Sequence, residues 1–284
     1  MPALRLAGDR RTEVVREFYT ETPFPNYPPE ASLSWLRARA SGSAFAQMLD
    51  AAIPHDARIV EIGCGTGQMS LFLARGERQV IGADLTRASL LLAADAARRF
   101  GISGVSFVET DLAQPALRRG AFDVVYCSGV LHHTPDPRAS FARIAELARP
   151  GGMIVLGLYN RIARLPLRMR RVVARITRER WIPFDPVLRD RAAEPERRAA
   201  WLRDQYRHPE EHRHSLAEVR RWFDENDVAF VRSCPPVLDP EQASASLFDP
   251  EEDDWPLGDW LTELGWMAAL SREGGLFVTI GQAA

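Results

Sequence analysis

The chain predicts an α/β fold, a parallel sheet covered by helices on both faces. Two observations carry this. From residue 58 onward short apolar runs alternate with helical segments of 10 to 15 residues, which is the pattern of βαβ units. The first strand also runs into a glycine-rich turn, "VEIGCGTGQ", as nucleotide-binding sheets of this class do.

The elements follow in order. "TEVVREFY" reads as a short helix with Thr12 as its N-cap. "TPFPNYPP" forbids regular helix, because four prolines in eight residues enforce extended geometry. "SLSWLRARASGSAFAQMLDAAI" returns to helical spacing. "ARIVEIG" is a strand, "QMSLFLARGE" a helix and "QVIGADL" a strand. "RASLLLAADAARRFGI" is a helix closed by Gly101. "VSFVETDL" and "FDVVYCSGVL" are strands, "PRASFARIAELARPGG" a helix with a glycine stop, and "MIVLGLY" the fifth strand. Residues 160–214 hold no strand. In "SLAEVRRWFDEND", Ser215 and Glu218 form a capping box that opens a helix. "VAFVRSCP" and "GGLFVTIGQ" complete seven strands.

The division expected is a helical, proline-rich lid over 1–50 and a nucleotide-binding core over 51–160. An arginine-rich helical insertion over 161–214 would cap the acceptor. Residues 215–284 would complete the core, with an acidic insertion at 235–273.

Composition narrows the function classes. At 284 residues and 46% hydrophobic content the chain can bury a large core without staples. A formal net charge of −2 argues against nucleic acid as the partner. All 36 basic residues are arginine. Cys64, Cys127 and Cys234 are scattered, giving neither a disulfide framework nor a zinc signature, and a reducing cytoplasm is the expected setting. No apolar run approaches the 18 or so residues of a membrane span.

The glycines decide which nucleotide. A dinucleotide turn needs G-x-G-x-x-G. Counted from Gly63, the third position is Gln68; counted from Gly65, no frame fits either. The spacing is E-x-G-x-G-x-G, with Glu61 two places before Gly63. Asp84 ends the second strand, where an acid can accept from both ribose hydroxyls. Asp111 ends the third, where a carboxylate can accept from an adenine amino group.

Together "VEIGCGTGQ", "GADL", "ETDL", "FDVVYCSGVLHH" and "LARPGG" resemble, in order and spacing, the motifs of the class I S-adenosylmethionine-dependent methyltransferases, in the small-molecule group that includes ubiquinone and menaquinone methyltransferases. The resemblance is strong over residues 55–160 and weaker through the last two strands. It implies a Rossmann-like, seven-stranded, mostly parallel sheet with the last strand antiparallel. It also implies S-adenosylmethionine as cofactor and S-adenosylhomocysteine as product. Gly63, Cys64, Gly65 and Gly67 would admit the methionine part, with Glu61 orienting the loop and Gln68 reaching the carboxylate end. Asp84 and Leu85 would hold the ribose, Asp111 and Leu112 the adenine, and Ser128 and Val130 the region of the transferred methyl.

His132 and His133 follow the fourth strand at the open edge of the sheet, where a histidine can take a proton from an acceptor. Tyr19, Tyr27, Tyr159, Asn160 and His208 are candidates for the acceptor wall. The His208, His212 and His214 group beside Glu210 and Glu211 reads as pocket wall or connector rather than a metal site, and no metal is expected. The fourth strand ends in "CSGV" rather than an Asn-Pro-Pro-Tyr type motif, which argues against methylation of planar amide or base nitrogens.

"RIARLPLRMRRVVARITRER" carries eight arginines and one acid, with Ile162, Leu165, Val172, Val173 and Ile176 able to share a face. A peripheral membrane or anionic-ligand contact through 161–180 is one reading. Docking against the acidic insertion, within the chain or across a homodimer, is the favoured one. The function expected is methyl transfer to a small organic acceptor. The alternatives are an RNA methyltransferase using the arginine-rich insertion and a non-catalytic cofactor-binding protein.

Overall fold

The computed structural model describes residues 9–25, 27–28, 30–190, 192, 194–208, 211–236, 246–251, 258–270 and 274–284. Its centre is one seven-stranded sheet: β1 (Arg58–Ile62), β2 (Gln79–Asp84), β3 (Val105–Glu109), β4 (Phe122–Ser128), β5 (Ala148–Tyr159), β6 (Val228–Cys234) and β7 (Leu276–Ala283). The strand order is β3-β2-β1-β4-β5-β7-β6. β1 to β5 pair in parallel, and β7 is antiparallel to both β5 and β6. The expected fold class, with the last strand reversed, is the one observed.

Each sheet face has its own core. Val60, Ile62, Val125, Ile154, Leu156 and Phe277 belong to one, covered by α6 (Pro137–Ala145) and α10 (Leu216–Asp224). Ile59, Val80, Val124, Val155 and Ile280 belong to the other, beneath α3 (Ala44–Ala52) and α4 (Gln68–Leu73). Alternate residues of a strand face opposite sides, so a strand buried on both faces reads as a continuous apolar run. That is why "RIVEI" and "MIVLGLY" carry no alternation. α5 (Arg87–Phe100) ends at Gly101, whose φ is 64°, the left-handed cap expected from sequence.

Several boundaries differ from the sequence reading. α1 (Arg10–Glu21) is capped by Asp9, whose carboxylate accepts from Arg11 N at 3.0 Å, and Thr12 lies inside the helix. The segment 32–53 is two helices, α2 (Leu33–Ser41) and α3, because Gly42 ends the first and Ser43 caps the second. α4 stops at Leu73, short of "ARGE". α6 stops at Ala145, and "ARPGG" opens β5 instead of closing the helix. Gly152 is needed there because a Cβ would sit 2.9 Å from the Phe122 carbonyl oxygen.

The insertion forms α7 (Leu165–Ile176), α8 (Pro186–Asp190) and α9 (Pro195–Arg207), and no strand is found among its described residues. It has a small core of its own, built from Leu167, Ala174, Val187, Leu188, Trp201 and Tyr206. Buried Asp185 ties that core together: it accepts from Val187 N and Leu188 N at 2.9 Å and from the Tyr206 hydroxyl at 2.5 Å. α11 (Gly258–Ala269) places Trp266 in the core, while Trp260 is exposed.

Candidate functional site

β1 and β4 are neighbours, and the chain leaves them in opposite directions, to β2 and to β5. In open α/β sheets such a switch point opens a crevice at the C-terminal strand ends. Here a cavity of about 1020 Å³ occupies that place. Single ligand pockets run to about 300–1,000 Å³, so this one has room for a nucleotide and a second small molecule.

The glycine turn forms its floor. Gly63 and Gly65 adopt φ of 69° and 52°, the left-handed region open to glycine. A Cβ on Gly63 would lie 2.2 Å from Val130, and one on Gly65 2.3 Å from the Phe24 carbonyl oxygen. Gly67, with φ 77°, starts α4 and lies behind the cavity wall.

Two carboxylates brace the turn. Asp84 accepts from Gly65 N at 2.8 Å through one oxygen, and from Thr86 N at 2.8 Å and the Thr86 hydroxyl at 2.7 Å through the other. Burial pushes its pKa up, against those hydrogen bonds. Glu61 is buried and accepts from the Ser70 hydroxyl. Burial, aided by the nearby Asp84 charge, raises its pKa to about 7. Asp111, Leu112, Leu85, Cys64, Gln68, Ser128 and Val130 all line the same cavity.

The N-terminal segment closes on this floor. The Thr66 hydroxyl donates to the Pro25 carbonyl at 2.5 Å, Gln68 Nε2 reaches the same oxygen at 3.4 Å, and the Tyr27 hydroxyl donates to the Thr66 carbonyl at 2.9 Å. Tyr27 does not face the cavity; its ring packs between Trp35 and Phe100. Tyr19 does face it, from α1. α1 is in turn held by α9: Arg203 donates to Glu21 at 2.7 Å and lies over the Phe18 ring at 4.7 Å.

The two histidines after β4 part company. His133 lines the cavity and stacks on His208 at 3.6 Å. His132 is sealed off, and neither ring nitrogen has a hydrogen-bond partner. Burial, with His133 and Arg164 nearby, holds its pKa well below 6.5, so the ring is neutral. It stacks on Tyr159 at 3.8 Å, and the Arg164 guanidinium lies 3.3 Å from the same ring's centroid.

Tyr159 lines the cavity, its hydroxyl accepting from Gln205 at 2.8 Å. Asn160 does not: it is fully buried, and its side-chain oxygen accepts from Ile162 N and Ala163 N at 2.9 Å, shaping the turn into α7. His208 stands behind His133, against Phe18 and Tyr19. Trp201 and Gln205, four apart on α9, also line the cavity. Nothing in the sequence marks these two except that spacing. Glu210 lies outside the described residues. Among the described residues no cluster of three or more His, Cys, Asp or Glu could hold a metal ion.

Beneath this wall sits a buried ion network. Glu211 bonds Arg164 and Arg171, each at 2.6 Å, and Arg164 also donates to Gln205 at 2.9 Å and to the Gly274 carbonyl. Burial pushes the Glu211 carboxyl up, but the two guanidinium groups outweigh it and hold it at about 2. Arg164, the N-cap of α7, and Arg171 therefore form their ion pairs within the insertion. Among the described residues no ion pair joins 161–180 to 235–273, of which 237–245, 252–257 and 271–273 lie outside the description.

Comparison with known proteins agrees with the fold. Residues 60–156 match the family model described as "Methyltransferase domain". An uncharacterized protein of Synechococcus is 28% identical over 251 residues, covering 78% of this chain and 60% of that one. The ubiquinone biosynthesis O-methyltransferase of Cronobacter sakazakii is 33% identical over 108 residues, covering 38% of this chain and 44% of that enzyme. The chain thus spans about half the length of the curated relatives it matches. Among solved structures, geranyl diphosphate C-methyltransferase from Streptomyces coelicolor superposes with a TM-score of 0.55 at 15% identity, over 98% of this chain and 99% of that one. Over residues 60–156, from β1 into β5, this chain is similar to the methyltransferase domain family.

Proposed function

We propose that the protein transfers a methyl group from S-adenosylmethionine to a small organic acceptor. The observation that carries this is the convergence of the Gly63–Gly67 turn, Glu61, Asp84 and Asp111 around one cavity with room for two ligands. The cradle suits the cofactor: Gly63, Cys64 and Gly65 present their backbone to the cavity, and the glycines hold left-handed φ that a side chain would strain. Buried Glu61 suits the cationic end of the methionine part. S-adenosylmethionine supplies a methyl already activated on a sulfonium, so alignment and dehydration are the protein's share of the work.

In this reading Gly63, Cys64 and Gly65 let the backbone approach the methionine part, and Gly67 sets the turn behind them. Asp84 and Leu85 hold the ribose, Asp111 and Leu112 the adenine, and Ser128 and Val130 border the reacting methyl. Gln68 would exchange its bond to Pro25 for one to the ligand carboxylate. Tyr19, Tyr159, Trp201 and Gln205 form the acceptor wall, and α1 with α9 excludes water. Where the acceptor must lose a proton, His133 takes it, because it faces the cavity and His132 does not.

The domain division follows: a roof over 1–50, a cofactor core over 51–160, an acceptor cap over 161–214, and completion of the core over 215–284. A small acceptor suits an internal cavity better than RNA, which would need an open basic track. The three free cysteines, all buried, are consistent with the cytoplasm.

Calorimetric titration with S-adenosylmethionine, S-adenosylhomocysteine and NAD tests the cofactor, and a screen with labelled methyl tests the acceptor. Micromolar binding of both sulfur nucleotides and none of NAD is expected. Failure of the folded protein to bind either sulfur nucleotide would sink the reading. Tight binding without methylation of any acceptor would favour the non-catalytic alternative.

A further inference from the structure

α7 has apolar groups on two opposite faces. Leu167 and Ala174 turn inward to the core of the insertion. Leu165, Met169, Val172 and Ile176 recur at i, i+4, i+7 and i+11, which aligns them in one stripe on the opposite side. They are 41%, 71%, 57% and 77% exposed. Trp181 and Phe184, in the turn before α8, are 61% and 92% exposed. Single exposed apolar residues are ordinary, but an aligned stripe with two aromatics beyond it needs a partner.

The polar surroundings say which kind. At 100° per residue Arg168 and Arg175 fall together on one flank of the stripe. Arg168, Arg170, Arg175, Arg178 and Arg180 enter no ion pair among the described residues, unlike Arg164 and Arg171. A recess of about 400 Å³ beside the helix is lined by Arg171, Arg175, Arg178, Glu179, Tyr206 and Arg207. Glu179 is taken up by Arg207, and Arg171 by Glu211, which leaves Arg175 and Arg178 for an outside anion.

We infer that this face docks on an anionic phospholipid bilayer. α7 lies in the interface, its stripe and the two aromatics at the acyl boundary and its arginines at headgroup phosphates. Helices that lie in the interface carry this combination of an apolar face and basic flanks. No helix among the described residues is long and apolar enough to cross a membrane, so the contact is peripheral. A symmetric second copy is a poorer occupant, because an antiparallel isologous contact of the stripes would set the same arginine flank against itself. The inference is independent of the methyl-transfer reading.

The test is sedimentation of the full chain with vesicles of phosphatidylglycerol and phosphatidylcholine, against phosphatidylcholine alone. Partition to the anionic vesicles should be stronger and should weaken with salt. Met169→Glu with Ile176→Glu should lower it about tenfold or more, with melting temperature and S-adenosylhomocysteine binding retained. Arg175→Gln with Arg178→Gln should lower it about tenfold and flatten the salt dependence. No preference for anionic vesicles would overturn the inference, as would a partition indifferent to the paired Glu substitutions. A wild-type dimer that those substitutions split would make the stripe an interface between copies instead.

Discussion

The backbone N–H of Gly65 donates to the Asp84 carboxylate at 2.8 Å, which ties the tip of the glycine turn to the end of β2. Asp84 therefore shapes the turn before it holds any ligand. Asp84→Ala should weaken S-adenosylhomocysteine binding tenfold or more, since charge-assisted hydrogen bonds contribute about 1.5–3 kcal/mol each. Gly65→Ala should do the same by a different route, forcing a left-handed alanine against the Phe24 carbonyl oxygen. Calorimetry on variants shown to be folded by circular dichroism checks both. Unchanged affinity for Asp84→Ala would remove its assigned role.

Glu61 makes binding depend on pH. Its pKa in the folded protein is raised from 4.5 to about 7. Below that pH the ligand-free protein holds a proton there, and a cationic ligand beside Glu61 favours its loss. Cofactor affinity should therefore rise as pH rises through 7 and level off above about pH 8, with proton release on the acid side. Titration in buffers of different ionisation enthalpy reads the proton count. For the ligand-free fold the sign is opposite: stability is full below 4.5 and falls as pH rises towards 7, by about 3 kcal/mol. Glu61→Gln should abolish both effects.

His132 and His133 should separate in kinetics. His133→Phe should lower kcat about 100-fold or more, with cofactor affinity kept, for an acceptor that loses a proton. His132→Phe should leave kcat near wild type and hold or raise the melting temperature. Its two ring nitrogens are buried without partners, a cost of about 1–3 kcal/mol that an apolar ring avoids. A collapse of kcat in His132→Phe with His133→Phe unaffected would reverse the assignment.

Glu211 should govern acid stability. Its carboxyl is held at about 2, below the usual 4.5. A depressed folded pKa stabilises above 4.5, and the contribution drains away as pH falls towards 2. Glu211→Gln should cost about 3–5 kcal/mol at neutral pH, because it strands the buried Arg164. Denaturant melts between pH 2 and 7 should show the variant's deficit shrinking towards the acid end.

Sequence alone determined the sheet, its strand count and the residues that line the strand-end side of the cavity. The reason is locality. Gly63, Gly65 and Gly67 lie in one turn, and Glu61, Asp84, Asp111 and Ser128 each sit at or just after a strand end. Strand ends in this topology converge, so reading the strands is enough to gather the residues. Helix ends were less legible, because Asp9 and Thr12 are both acceptable caps and only packing selects between them.

The tertiary structure decided the rest of the cavity wall. His132 and His133 are adjacent in the chain, and the single 3-10 turn at Leu131–His133 sends one ring into the core and the other into the cavity. Trp201, Gln205 and Tyr19 reach that cavity from helices far apart in sequence, and no local pattern announces it. Asn160 looked like a wall residue, but its carbonyl oxygen is committed to two backbone donors. Whether an apolar helix face is buried or left exposed, as at Met169 and Ile176, depends on what else the chain brings to it, and periodicity carries no record of that.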